Sequence, residues 1–203
     1  MGWNEIPDDK TIEETRKNLE EKGFNVEIVD SKEEALEAVK NKIPKGAEVY
    51  DGSSTTLIEI GYVDYRSSSE HGWNDLHKKV NDEDDEEKRA ELRRKSITAD
   101  YYLGSVNAIS STGELVACDA SGSRVGGYPF AAKNLIIVSG VNKITDSLDS
   151  AMARVREHAF PLEDKRAQEA YGFNSVLAKW VIMEREIFPG RTTVVLVKDK
   201  LGY

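Results

Sequence analysis

The sequence predicts an α/β domain in which a mostly parallel sheet is covered by helices. Three observations predict it. Residues 11–61 alternate helix, strand, helix, strand, loop and helix signals. Short aliphatic and β-branched runs recur downstream, at Tyr101–Leu103, Val106–Ile109, Leu115–Cys118, Leu135–Val138 and Thr192–Val197. Between the last two runs, Leu148, Ala151, Met152 and Val155 repeat at the spacing of one helix face. With no internal repeat or dividing linker in 203 residues, a single domain over 1–203 is expected, with an N-terminal helical segment over about 1–22.

The first helix is expected over 11–22. Thr11 and Glu14 have capping-box spacing, Ile12 and Leu19 share a face, and Gly23 is a natural stop. Phe24–Val29 reads as a strand. Ser31 and Glu34 start a second helix that runs through Ala35, Leu36, Val39 and Ile43 to Pro44. Ala47–Tyr50 is a short strand, and a short helix follows the loop 51–56 as far as Gly61. Residues 66–81, with the run Ser67–Ser69, read as loop with some helix. Asn81–Lys95 places acidic residues first and basic residues last, the order a helix dipole favours, and is expected to be a solvated helix. Asn174 is expected to cap a helix carrying Val176, Leu177 and Trp180. Pro189-Gly190 then turns the chain into the terminal strand.

The charge balance limits the partners. Lysine and arginine total 28 against 37 acidic residues, a net charge of −9. Binding a phosphate backbone needs a basic face, so no nucleic-acid partner is expected. At 39% hydrophobic residues the chain can build a core. No run approaches the roughly 20 apolar residues of a membrane helix. The residues Met1–Glu5 have neither the basic nor the apolar part of a secretory leader. No membrane partner and a cytoplasmic location are therefore expected. The single cysteine, Cys118, excludes an internal disulfide and a cysteine-rich zinc or iron–sulfur site within one chain. His71 and His77 lie in a polar segment and His158 follows the helix of Leu148–Val155; the three lack a metal-ligand spacing, and no metal or cofactor is assigned.

Four segments are candidates for chemistry. Gly52, Ser53, Ser54, Thr55 and Thr56 lie between a predicted strand and a predicted helix, where free amides and hydroxyls suit a phosphate or carboxylate. A tight turn with a Ser or Thr cap is the plain alternative. Asn107 and Ser110 are placed near a strand end, followed by Gly113 and Glu114; ordinary turn chemistry competes with a carboxylate base or nucleophile at Glu114. In 119–130, Asp119 precedes a glycine-rich loop in which Ser123 and Arg124 stand; Arg124 has the fork geometry for clamping an anion, against the alternative of a flexible loop with a surface Arg. Lastly, Gly140, Asn142 and Lys143 follow a buried strand, where Lys143 can neutralise an anion or, if desolvated, act as a base; a strand end with a solvated Lys is the plain alternative.

The segments 99–109, Thr112-Gly113-Glu114-Leu115-Val116, Gly122-Ser123-Arg124-Val125, Leu135–Val138 and Gly140-Val141-Asn142-Lys143-Ile144 together resemble the LUD domain family, the LutC/YkgG-like lactate-utilisation proteins. The early Gly52–Leu57 and the end, Pro189-Gly190-Arg191 to Lys200-Leu201-Gly202, continue the resemblance, which runs from about residue 10 onward. It implies a fold like the NagB/RpiA/CoA-transferase-like group, a mostly parallel sheet with helices on both faces. In that group a Gly/Ser/Thr loop after a strand holds phosphate, and Gly52–Thr56 is the matching position. Many family members carry several cysteines before the final strand; the stretch from Pro161 to Glu186 has none.

The resemblance implies a lactate-utilisation-type accessory protein that binds a small carboxylate or phosphate metabolite. Lactate oxidation needs an electron acceptor, and the chain has no Gly-x-Gly-x-x-Gly fingerprint and no cysteine cluster. The redox chemistry is therefore expected on partner subunits of a lactate-oxidising system. The alternative is an enzyme of the sugar-phosphate isomerase, hydrolase or CoA/acyl-transfer type in the same pocket. Glu114 and Asp119 would then be acid, base or nucleophile, with Lys143 or Arg124 stabilising negative charge. A degenerate domain with its pocket filled by apolar side chains is a third reading. A symmetric homodimer is expected for so small an α/β domain.

Overall fold

The computed structural model describes residues 2–68 and 70–203; Ser69, in the serine run assigned to loop, lies outside the described residues. Helix α1 (Asp9–Glu21) begins earlier than the Thr11 capping box predicts, because Asp8 is the cap and accepts from the Thr11 amide at 2.8 Å. It buries Ile12, Thr15 and Leu19. Strand β1 (Asn25–Val29) follows, then α2 (Lys32–Lys42), capped as expected by Ser31, whose hydroxyl accepts from the Glu34 amide at 3.2 Å. Strand β2 (Glu48–Asp51) leads through 52–54 into α3 (Thr55–Glu59). The segment 66–81, read as loop with some helix, takes in the end of α4 (Tyr62–Ser68), then β3 (Asn74–Asp75) and α5 (Leu76–Asn81). The charged run forms α6 (Glu86–Ser96).

The second half supplies β4 (Tyr101–Gly104), β5 (Ala108–Ser110), β6 (Leu115–Asp119), β7 (Asn134–Gly140), β8 (Ile144–Thr145), β9 (Lys179–Met183) and β10 (Thr192–Val197). Among the described residues, six strands form a fully parallel sheet in the order β1-β10-β7-β4-β2-β3. A second sheet, β8-β5-β6-β9, is mixed, with β5 antiparallel to β6 and β6 antiparallel to β9. The main sheet is apolar on both faces, as parallel sheets must be. On β7, Leu135 and Ile137 join the core beneath α1, with Ile12 and Leu19, while Ile136 and Val138 join the core beneath α2 and α3, with Val39 and Leu57.

Two expectations are corrected here. The helix beginning near Leu148 does not stop before His158. It runs as α7 (Leu148–Arg154), one π-type turn (Val155–Ala159) and α8 (Phe160–Tyr171). Pro161 falls in the first turn of α8, where a missing N–H costs little. The helix expected from Asn174 is instead the approach to β9. Asn174 does not cap; its side-chain amide donates to Asp164 at 3.0 Å. Trp180 pairs opposite Cys118, because the edge of β6 offers a ladder to the residues Lys179–Met183. Tertiary pairing outweighs local propensity there.

The turn into β10 is fixed by a buried ion pair. Glu186 accepts from Arg191 at 2.9 Å and from the Thr192 hydroxyl at 2.6 Å, and Arg191 also donates to the Ala132 and Tyr128 carbonyls at 3.0 and 2.8 Å. Removing the carboxylate would strand a buried guanidinium. Glu186→Ala is expected to lower the unfolding free energy by about 3 kcal/mol, with Glu186→Gln losing less. Urea unfolding checks it, and equal effects of the two variants would show that the charge is immaterial.

Candidate functional site

Three adjacent strands of the main sheet, β2, β4 and β7, end side by side, and the chain leaving each delivers one polar side chain to a common point. Thr56 follows β2, Ser105 follows β4 directly, and Lys143 follows β7 on a single 3-10 turn. The Lys143 Nζ lies 2.9 Å from Thr56 Oγ1, 3.1 Å from Ser105 Oγ and 3.1 Å from the Val106 carbonyl. Lys143 is only 2% exposed. Burial, with the cations Arg154 and Arg124 nearby, holds its amine well below the ordinary lysine range, against the weaker pull of Glu59. Gly202 closes one side. A Cβ there would stand 2.5 Å from Thr56 Oγ1 and 3.2 Å from Lys143 Nζ, and its φ of +56° also favours glycine.

The trio lies at the floor of a cleft of about 1290 Å³. The cleft sits outside the carboxyl ends of the strands, the usual ligand position in open α/β sheets. Its walls come from the loop 52–56, the loop 119–124, one face of α6, α8 and Tyr203. Asp119 shapes the second loop. Its carboxylate accepts from the Gly122 amide, and from the Arg124 and Val125 amides at 3.1 and 3.0 Å. That loop carries Arg124, whose guanidinium donates to Asn107 Oδ1 at 3.2 Å and the Cys118 carbonyl at 2.6 Å. Gly52 lets the Arg124 stem lie against the first loop, since a Cβ at 52 would sit 2.5 Å from its Cγ. Arg93 reaches over from α6 to donate to Ser123 at 2.8 Å.

Of the residues singled out in the sequence, Gly52, Ser53, Ser54, Thr55, Thr56, Asn107, Asp119, Ser123, Arg124 and Lys143 line this one cleft. Ser54 also caps α3, accepting from the Leu57 amide at 3.4 Å. The others stand elsewhere. Gly113 and Glu114 form the β5–β6 hairpin and pack on α1, where Glu114 pairs with Lys22 and accepts from Thr112. Glu114 thus does not face the loop 52–56, and Asp119, though at the cleft, has its carboxylate occupied by backbone amides. Neither is placed as the acid or base once expected. Gly140 lets the Asn142 side chain and the backbone at Asp199 and Leu201 approach closely. Asn142 is a tie: it accepts from the Leu201 amide at 3.1 Å and donates to Asn4 at 2.7 Å.

In and around the cleft, several residues or their partnerships were not visible in the sequence. Ser105 and Thr56 become partners of Lys143 only through strand order. Glu163 accepts from Arg166 at 2.7 Å and from the Tyr203 hydroxyl at 2.7 Å, closing the α8 side. Asp51, nearly buried at the end of β2, pairs with Arg66 at 3.0 Å and lies 3.4 Å from His77 Nδ1. Arg154, fully buried, donates to the Trp3 carbonyl at 2.8 Å and to the Asn107 carbonyl, and burial pushes its guanidinium down to about 10. Cys118 is buried and its thiol is pushed up by desolvation, so it packs as a small apolar group. Among the described residues no three acidic, His or Cys side chains gather as a metal site, and no helix is long and apolar enough to cross a membrane.

The depressed Lys143 amine makes stability pH-dependent. Between its folded value and the ordinary lysine value of about 10.4, the unfolded chain binds the extra proton. The contribution of this site is therefore fully present above that ordinary value and is lost as pH falls through the folded value. The unfolding free energy of the wild type minus that of Lys143→Met should rise with pH inside this window, by up to about 1.4 kcal/mol per pH unit. A difference flat with pH would mean that Lys143 stays charged.

The LUD domain family model matches residues 12–197. Among solved structures, one described as a DUF162 family protein from Deinococcus radiodurans superposes with a TM-score of 0.55 over 93% of this chain and 96% of its own. At 12% identity that likeness shows a shared fold alone. No curated protein matches the chain. The family match spans both sheets, all four segments singled out in the sequence and the Thr56–Ser105–Lys143 point, and on it the chain belongs to the LUD domain family.

Proposed function

We propose that this LUD-domain protein binds a small anionic metabolite, a carboxylate or a phosphate, in the cleft at the ends of β2, β4 and β7. One observation carries the reading. Arg93 donates to Ser123 and Arg124 to Asn107 and the Cys118 carbonyl, both lining the cleft, and neither forms an ion pair with a carboxylate among the described residues. Two guanidiniums satisfied only by neutral groups make a field that favours an anion, and the fork of Arg124 suits two oxygens at once. The hydroxyls of Ser53 and Thr55 stand across the cleft as further donors.

The role that follows is an accessory one in a lactate-utilisation-type system, with hydride or electron transfer on partner subunits. Its support is the family, together with the lack of a dinucleotide fingerprint and the single cysteine in the sequence. A cytoplasmic location and a symmetric dimer belong to the same proposal.

A thermal-shift panel of lactate, other hydroxy- and keto-acids, sugar phosphates and CoA esters tests it. A ligand at ~100 times its dissociation constant should stabilise the fold by roughly 2.7 kcal/mol, a shift of several degrees. The shift should vanish in Arg124→Ala and shrink in Arg93→Ala. Silence across the panel, or a shift that both variants keep, sinks the reading.

A further inference from the structure

Lys143 has three hydrogen-bonding neighbours and no ion pair with a carboxylate among the described residues. The charged groups that face it are Arg154 from α7, Arg124 from the loop after β6 and Glu59 from α3. The Glu59 carboxylate accepts from the Gly202 amide at 2.7 Å. Burial disfavours an ammonium here and two cations repel it, so both act toward the neutral amine. A neutral amine has two N–H groups and one lone pair. The Val106 carbonyl can only accept, so it takes one N–H. One hydroxyl takes the second, and the lone pair is left to accept from the other. Thr56 has a further acceptor in the Leu201 carbonyl at 3.5 Å. The Ser105 hydroxyl has Thr56 Oγ1 at 3.3 Å and the Val106 carbonyl at 3.4 Å within reach, and Nζ of a neutral amine, at 3.1 Å, is the nearest acceptor for its proton. Ser105, Thr56 and Lys143 all line the cleft.

We propose that Ser105 is a nucleophile activated by Lys143 as general base, and that the cleft carries out acyl transfer from a carboxylic ester to water. The Ser105 oxygen forms a bond to the ester carbonyl carbon while its proton passes to Lys143 Nζ. The tetrahedral adduct then releases the alcohol, which takes that proton from Nζ as the carbon–oxygen bond breaks. Water attacks the acyl group on Ser105, gives a proton to Nζ, and the acid leaves as the serine hydroxyl is restored. Thr56 is a positioning residue, because it fixes Nζ and does not touch the substrate. This proposal goes beyond the anion reading and does not depend on it.

Diisopropyl fluorophosphate tests it on the intact chain. The Ser105 oxygen displaces fluoride from phosphorus, and mass spectrometry should find one diisopropylphosphoryl group, on the peptide containing Ser105. Labelling should rise with pH to a plateau reached well below the ordinary lysine value of about 10.4. Lys143→Met should slow it by about 100-fold, with circular dichroism confirming that the variant is folded. If that variant does not fold, the wild-type pH profile decides. The proposal is overturned by no label, by a label on another residue, by an undiminished rate in folded Lys143→Met, or by a rate still climbing through the ordinary lysine range. The reagent is uncharged, so a silent anion panel leaves this test intact.

Discussion

A buried lysine with no carboxylate partner among the described residues is the constraint on which this site depends. Burial penalises the ammonium and draws the amine's hold on its proton below that of an ordinary lysine. The same burial dictates its surroundings. Each of its three contacts must be a neutral polar group, and Thr56, Ser105 and the Val106 carbonyl meet the requirement. A carboxylate in place of either hydroxyl would stabilise the ammonium and raise the amine's hold on its proton. The glycine at 202 follows from the same demand, since any side chain there would collide with Thr56 and crowd the amine.

The sheet makes this arrangement possible. Strand order β7-β4-β2 places three carboxyl ends in a row, about 5 Å apart per step in any sheet. Residues 56, 105 and 143 are far apart in sequence, and only the parallel register brings them together. The floor is held from below by ties that are not themselves in the cleft. Asn142 joins the segments at Asn4 and Leu201, and Arg154 joins Trp3 to the Asn107 carbonyl. Fixing Asn107 also fixes one partner of Arg124.

What the sequence made legible was local. The parallel sheet could be read because its strands are apolar on both faces, and the loops could be read because small polar residues interrupt those runs at strand ends. Lys143 stood out as a cation directly after a buried strand. What stayed hidden was whatever depends on pairing at a distance. Ser105 looked like a linker between two apolar runs until β4 was placed beside β7. Glu114 looked free until α1 brought Lys22 to the hairpin. Asp119 looked like a catalytic acid because a lone carboxylate before a glycine loop gives no sign that the loop amides will turn back onto it. The stretch after Asn174 carried helix signals, and the free edge of β6 overrode them.

The net charge of −9 and the cationic cleft are compatible because they occupy different surfaces. The first turn of α6 holds Glu86 and Glu87, and its last turn holds Arg93, Arg94 and Lys95. Arg89, Arg93 and Arg94 lie on the face that looks into the cleft, as a spacing of three to five residues allows on one side of a helix. The acidic majority is spread over solvated surface, where water screens it within about 10 Å. Inside the cleft, low-dielectric walls keep the guanidinium field from being screened in the same way. A globally acidic protein can therefore present a locally positive site. The sign of the whole chain argues only against partners that need a broad basic face.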